Sequence, residues 1–219
     1  STTQGLRFNS ARGTFSTNNG SSLSTSNAAA TAFLSNGSAI SSAFAGPITV
    51  TAGKGVELTS NAGSTFSFRG GLAFNTGTNA AFSATASGTI EVCDENPCNA
   101  SATGALVNTL TTTTATALNV VSTSISVNNL EFRSINAGTG VGSAGAGIVL
   151  DGTGASGGLV VKGTGAAGSG GTIQHKTGAD EPAGATAGVY DPFGYGIFLR
   201  STSNVSLRYM QLNDFDNSA

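Results

Sequence analysis

The feature that most constrains this chain is a short alternation of apolar and small or polar residues, repeated along its length and bounded each time by Gly, Ser, Thr or Asn. Clear instances are GLRF at 5–8, GVEL at 55–58, GLAF at 71–74, TIEV at 89–92, ALNV at 117–120, GIVL at 147–150 and GIFL at 196–199. ITV at 48–50, FSF at 66–68, FSA at 82–84, ISV at 125–127, LVV at 159–161 and VSL at 205–207 extend the series. Period-2 alternation over three or four residues between turn formers marks strands with one buried face. Between Ile48 and Ile90 the first apolar positions stand at 48, 56, 66, 72, 82 and 90, so three steps make a unit of about two dozen residues. That spacing predicts a β-solenoid, in which no coil buries its inner face alone and stacked coils share one core. A β-sandwich competes less well, because the strands fall short of the roughly 5–6 residues usual there and no Asn-Gly or Asp-Gly turn recurs between them. With about 20–25 residues per coil, the chain is expected to form nine to eleven coils, a rod of about 45 Å.

Composition supports a thin core. Gly, Ala, Thr, Ser and Asn fill 138 of the 219 positions, and 12 Phe with scattered Leu, Ile and Val are the larger anchors. Gly and Asn are expected at coil corners, where they tolerate left-handed backbone, and Ser and Thr in turns and ladders. An all-helical protein is excluded by the scarcity of Leu, Glu, Lys, Arg and Met, and collagen by the lack of a Gly-X-Y register. A 38% hydrophobic content with a net charge of −2 argues against disorder. Nine basic residues spread among eleven acidic ones form no patch for phosphates, so nucleic acid is not expected as a partner. No window approaches 18 consecutive apolar residues, so no membrane span is expected in this segment.

Cys93 and Cys98 enclose DENP, a turn-forming stretch that suits a small closed loop, and a local disulfide is expected, which implies an oxidising compartment. Zinc would need further Cys or His ligands, and His175 is the sole histidine, so neither a metal nor a cofactor is expected. His175 itself reads as a surface residue. The chain reads as a single domain over 1–219. Its coils are irregular over 1–116, with the Cys93–Cys98 loop, and clearer over 117–219, with a loop at 179–196 projecting from the rod. ISVNNLEFRSI at 125–135 and VSLRYMQLNDF at 205–215 repeat one pattern at an offset of 80, with Ile125, Val127, Leu130, Phe132 and Ile135 in the same apolar slots as Val205, Leu207, Met210, Leu212 and Phe215. A strand pattern starts at Gly5 and another runs to Phe215, so the chain is expected to be an uncapped fragment.

GIVLDGTGASGGLVVKGTGAAGSGGTIQHKTG at 147–178 and GIFLRSTSNVSLRYMQLNDFDN at 196–217 resemble secreted or surface-displayed bacterial proteins built of right-handed parallel β-helix repeats. These share the pectin-lyase-like superfold and include adhesins and autotransporter passengers. The resemblance covers 117–219, and the earlier half only in composition and strand spacing. It implies a right-handed helix of three parallel sheets, export to the cell surface or beyond, and membership of a longer polypeptide.

Candidate chemistry is sparse. Gly152–Gly157 and Gly163–Gly168 both fit G-x-G-x-x-G, but no amphipathic helix follows either to receive a pyrophosphate, so both read as loops. Enzymes of the resembling family cleave acidic polysaccharides with clustered carboxylates and a basic clamp. The matching candidates are Asp214 and Asp216 with Arg200 and Arg208. Alternation turns Val205 and Leu207 inward and Arg208 outward, and solvated charges at a coil corner are the plainer reading of the four. Thr-rich tracts such as 111–114 raise an ice-binding ladder, which would need Thr-x-Thr at one place in each coil. The expectation is therefore a structural or adhesive β-helical stalk of an exported bacterial surface protein, with no chemistry of its own. Its partners would be surface glycans or neighbouring cells, met through Tyr190, Phe193 and Tyr195 of the projecting loop. The alternatives are a polysaccharide lyase or glycoside hydrolase and, third, an ice-binding solenoid.

Overall fold

The computed structural model describes residues 4–100, 107–178 and 194–215, and every regular element among them is a β-strand. Strands are dealt in turn to three faces, and all pair in parallel with the strand one coil away. The first sheet stacks Gln4–Asn9, Thr31–Asn36, Lys54–Thr59, Phe82–Thr85, Leu118–Val121, Ile148–Gly154 and Ile197–Thr202 in chain order. The second stacks Arg12–Ser16, Ala39–Phe44, Thr65–Phe68, Thr89–Val92, Ser124–Phe132, Leu159–Val161 and Ser206–Leu207. The third begins with Leu23–Thr25, Ile48–Val50, Leu72–Asn75, Thr109–Thr111 and Ser134–Asn136. It continues through an Ala137–Ile173 bridge into Gly171–Thr177 and Met210–Phe215. This is a solenoid-like stack, and the unit read from the sequence maps onto it directly: Ile48 pairs with Leu72, Val56 with Phe82 and Phe66 with Ile90, one pair on each face.

The stack has seven coils among the described residues, where uniform spacing predicted nine to eleven. Pairing steps are short at first, Gln4 to Thr31, Thr31 to Lys54 and Val56 to Phe82. They lengthen in Phe82 to Leu118, Leu118 to Ile148 and Ile148 to Ile197. Between Leu118 and Ile148 the extra length is an insertion at 137–147 that carries only the two-residue strand Ser143–Ala144, so the longer coil adds no further step to the first sheet. At about 4.8 Å per step the stack is about 30 Å long.

Inward rows form the core. Leu6, Phe33, Val56, Phe82, Leu118, Ile148 and Ile197 lie in one row of the first sheet. Phe33 is fully buried and meets the rings of Phe8, Phe44, Phe66 and Phe68 at centroid distances of 5.0–6.5 Å. Edge-on and tilted contacts of this kind suit aromatic quadrupoles. The later coils fill the same space mainly with Leu, Ile and Val, with Phe132 as a buried ring among them.

The corner between the first and second sheets is built alike in every coil. Ser10, Gly37, Ser60, Ala86, Ser122, Gly152 and Ser201 all take φ between 47° and 64°. The corner amide donates to the next coil, as in Ser60 N to Thr85 O at 3.0 Å and Ser122 N to Asp151 O at 2.8 Å. Gly and Asn were expected here, yet Ser or Ala fills five of the seven corners. Left-handed backbone costs an L-residue about 1–2 kcal/mol, and a small side chain with an inter-coil hydrogen bond offsets it.

The next residue along points inward and makes a buried polar ladder. Ser38 Oγ accepts from Ala11 N, Asn61 Oδ1 from Ser38 N at 2.9 Å, and Thr123 Oγ1 from Ser87 N at 3.0 Å. Asn61 Nδ2 also donates to Ser35 O and Ser87 Oγ. Each side chain thus satisfies a buried amide one coil away that the sheets leave unpaired.

Two expectations are corrected. In the second sheet the register jumps from Ile90–Ile125 to Val92–Leu130, so residues 126–129 bulge out and Val127 is 65% exposed rather than inward. The 80-residue repeat also shifts, because Phe132 pairs with Val161 and Val161 with Leu207, a separation of 75 over two coils. The bulge consumes residues that an unbroken alternation would have spent on inward positions.

Candidate functional site

The residues proposed for catalysis are not gathered into one site by the described part of the structure. Arg200 follows the inward Leu199 position and faces outward beside Asp151, its register partner one coil back. Its Nε donates to Asp151 Oδ1 at 2.7 Å and its Nη2 to Asp151 Oδ2. Arg208 is exposed, and Val205 and Leu207 pack against the core. Asp214 lies in the strand Met210–Phe215, but its side chain, and all of Asp216, fall outside the described residues. Of the aromatic loop residues, Tyr190 and Phe193 also fall outside them. Tyr195 is half-buried, with its ring 5.6 Å from that of Phe198. His175 is half-buried, and its Nδ1 lies 2.9 Å from Gly138 O.

The chemistry that the structure does assemble sits on the outer face of the second sheet, under the Cys93–Cys98 loop. The two cysteines are joined in a disulfide across a sequence separation of 5. The loop leaves the sheet directly after Val92, whose register partner is Leu130, and this brings Glu131 of the next coil beside the start of the loop. One carboxylate oxygen each from Asp94, Glu95 and Glu131 lies within 4.8 Å of the other two. Glu131 is fully buried, and Lys162 Nζ reaches its Oε2 at 2.9 Å. Asn99 N donates to Glu95 Oε1 at 2.8 Å. Asp94 Oδ2 and Glu95 Oε2 are shut off from solvent and meet no N–H or O–H donor of another residue, and the two carboxyls lie within hydrogen-bonding reach of each other. Desolvation by burial, then the neighbouring Glu95 carboxyl, pushes the Asp94 carboxyl up to about 6.

A second acid lies next to this group. Glu91 is buried, and accepts hydrogen bonds from Ser67, Ser126 and Asn128, with the Arg69 guanidinium at 3.7 Å. Ser126 and Asn128 belong to the bulge, so the irregularity in the second sheet is what closes over Glu91. Arg69 also donates to Asn96 Oδ1 at 2.9 Å and so ties the tip of the disulfide loop to the rod. The sequence shows the Asp94-Glu95 pair plainly. It gives no sign of Glu131, which only the inter-coil register brings into reach.

The other outer faces are plainer. The third sheet presents Ser24, Thr49, Ala73, Thr109 and Ser134 in one outward row, so threonine holds two of five places and no unbroken threonine ladder forms there. On the first sheet Ser83, Asn119 and Val149 floor a groove of about 430 Å³ walled by Thr116 and small residues. Lys176 is fully buried and donates to Ser143 Oγ at 2.6 Å, which pins the 137–147 insertion to the third face. No helix among the described residues is long and apolar enough to cross a membrane. Compared with known proteins, the chain matches no family model, no curated protein and no solved structure.

Proposed function

We propose that this chain is a structural and adhesive rod, a right-handed β-helical segment of an exported bacterial surface protein of the pectin-lyase-like kind. The observation that carries this reading is the unbroken stack, in which the corner turn recurs in all seven coils and the inward row of the first sheet runs from Leu6 to Ile197. Such regularity makes a stiff element whose outer side chains repeat at fixed intervals, which suits multivalent contact more than a single reaction centre. Parallel strand crossovers are right-handed in nearly all sheets, which supports the hand of the helix. The disulfide supports export, since such bonds persist in oxidising compartments. Surface glycans or neighbouring cells are the partners in this reading, with Tyr190, Phe193 and Tyr195 as contact side chains.

The polysaccharide-cleaving alternative needs Arg200 and Arg208 to serve Asp214 and Asp216, whereas Arg200 is engaged by Asp151. The test is a panel of uronate polymers scored for unsaturated products and new reducing ends, run beside adhesion of chain-coated beads to glycan surfaces. The rod reading expects no turnover, and adhesion that falls when Tyr190, Phe193 and Tyr195 are replaced by Ala. Turnover that disappears in Asp214→Ala overturns it.

A further inference from the structure

We propose that the groove on the outer face of the first sheet binds an uncharged oligosaccharide, held by the side chains of Ser83, Asn119 and Thr116. The choice of ligand rests on the adhesive reading above and places one glycan contact on the rod itself. Ser83, Asn119 and Val149 are register partners on three successive coils, and Ala80, Ala115 and Ala144 line the groove beside them. Its volume of about 430 Å³ falls within the roughly 300–1,000 Å³ of small-molecule clefts. Two coil steps of about 4.8 Å make the floor about 10 Å long, enough for a short run of sugar rings.

The polar groups of the floor are held in place and only partly used. Asn119 Nδ2 donates to Ser83 Oγ at 3.2 Å, and Thr116 Oγ1 donates to Ala146 O at 2.8 Å. Ser83 therefore keeps its own hydroxyl proton to donate, and Thr116 keeps oxygen lone pairs to accept. Asn119 keeps a second amide proton and its Oδ1, which meet no other protein group among the described residues. A donor and an acceptor side by side on one amide suit a pair of sugar hydroxyls, each of which both donates and accepts. The alanine walls suit the C–H face of the ring. Charge then decides the class of sugar, because no ionisable side chain lines the groove. Beyond one end stands Glu57, the register partner of Ser83, and Lys54 neutralises it at 3.1 Å. A uronate or a phosphate would lose water here and meet no cation, which is costly. At the other end Phe198 is the register partner of Val149, and its ring lies 5.6 Å from that of Tyr195, so an aromatic pair continues the apolar surface.

The experiment uses the whole chain with its disulfide intact, titrated by calorimetry with cellotriose, mannotriose, xylotriose and, as the charged comparison, trigalacturonate. At least one neutral trisaccharide is expected to bind saturably in the millimolar range or below, one per chain, with trigalacturonate about tenfold weaker or more. Asn119→Ala should weaken binding about tenfold or more by removing both the donor and the acceptor. Ala144→Trp fills the groove from an exposed position without removing a hydrogen bond, and should abolish binding. Thr49→Ala, in the outward row of the third sheet, should leave it unchanged. No saturable binding of any neutral trisaccharide overturns the proposal, as do binding that survives Ala144→Trp and trigalacturonate bound as tightly as the neutral sugars. Bead adhesion separates the groove from the wider adhesive reading. Parent adhesion that persists unchanged in both groove variants overturns the groove as the contact and leaves the adhesive rod standing. Adhesion absent from the parent overturns the adhesive rod, while trisaccharide binding lost in both variants still upholds the groove.

Discussion

Phe33 shows how much this thin core asks of single residues. Its ring contacts four other phenylalanines drawn from both the first and the second sheet, so one side chain joins two faces over three coils. Phe33→Ala is expected to cost about 3–5 kcal/mol, since neighbours held in sheet register cannot collapse into the space. Phe8→Ala, in the partly exposed first coil, should cost clearly less. Urea unfolding checks both, as a lower midpoint with an unchanged slope. Asp94 makes a second prediction at this scale. Its carboxyl is raised from 3.8 to about 6, so the folded chain holds that proton more tightly than the unfolded one does. The stability this group contributes is therefore fully present below pH 3.8, lost as pH rises to about 6 and flat above. Asp94→Asn removes that loss, so the difference in melting temperature between variant and parent should grow across this window. Parallel curves would contradict the assignment.

The same dependence on neighbours governs the elements, because a strand of three to six residues persists only through what the next coil supplies. Asn61 makes the point: its side chain accepts from Ser38 N on one side and donates to Ser87 Oγ on the other. Asn61→Ala should cost about 1–3 kcal/mol by leaving a buried amide unpartnered, and Asn61→Asp should not restore it, since a carboxylate cannot donate to Ser87. Chemical denaturation of the two variants beside the parent measures this. The strands and their three-step unit were legible in the sequence because Ile48, Val56 and Phe66 each begin an apolar alternation that their pairing partners repeat. The coil count was not legible, since an insertion such as 137–147 uses the same Gly, Ala and Ser as an ordinary corner. Val127 misled for a related reason: alternation sets its direction only while the strand stays in register, and the bulge at 126–129 breaks it. The acidic cluster was half visible. Asp94 and Glu95 adjoin a cysteine, but Glu131 joins them through inter-coil pairing, which local pattern does not encode.

For the whole molecule, the consequence of stacking is that an interior coil is stabilised from two sides and an end coil from one. Among the described residues no strand pairs with the outer edge of Gln4–Asn9 or of Ile197–Thr202. At the first edge Leu6, Phe8, Phe15 and Leu23 are only partly buried, and at the last edge Leu199 and Leu212 are 45% and 52% exposed. Unpaired backbone beside half-covered apolar rows is a template for another parallel coil. Both edges present the three-faced outline by which each interior coil meets the next, so one copy offers the other the surface it already stacks on within itself. A head-to-tail contact of this kind is heterologous and does not close, so it extends with concentration instead of stopping at a dimer. The 219-residue chain is therefore expected to show a sedimentation coefficient that rises steadily with concentration. Leu199→Lys with Leu212→Lys should lower that rise by placing two charges against the incoming coil, while leaving the far-ultraviolet circular dichroism of the sheets intact. A coefficient independent of concentration in the parent, or a rise unchanged in the variant, would show that these edges do not recruit one another.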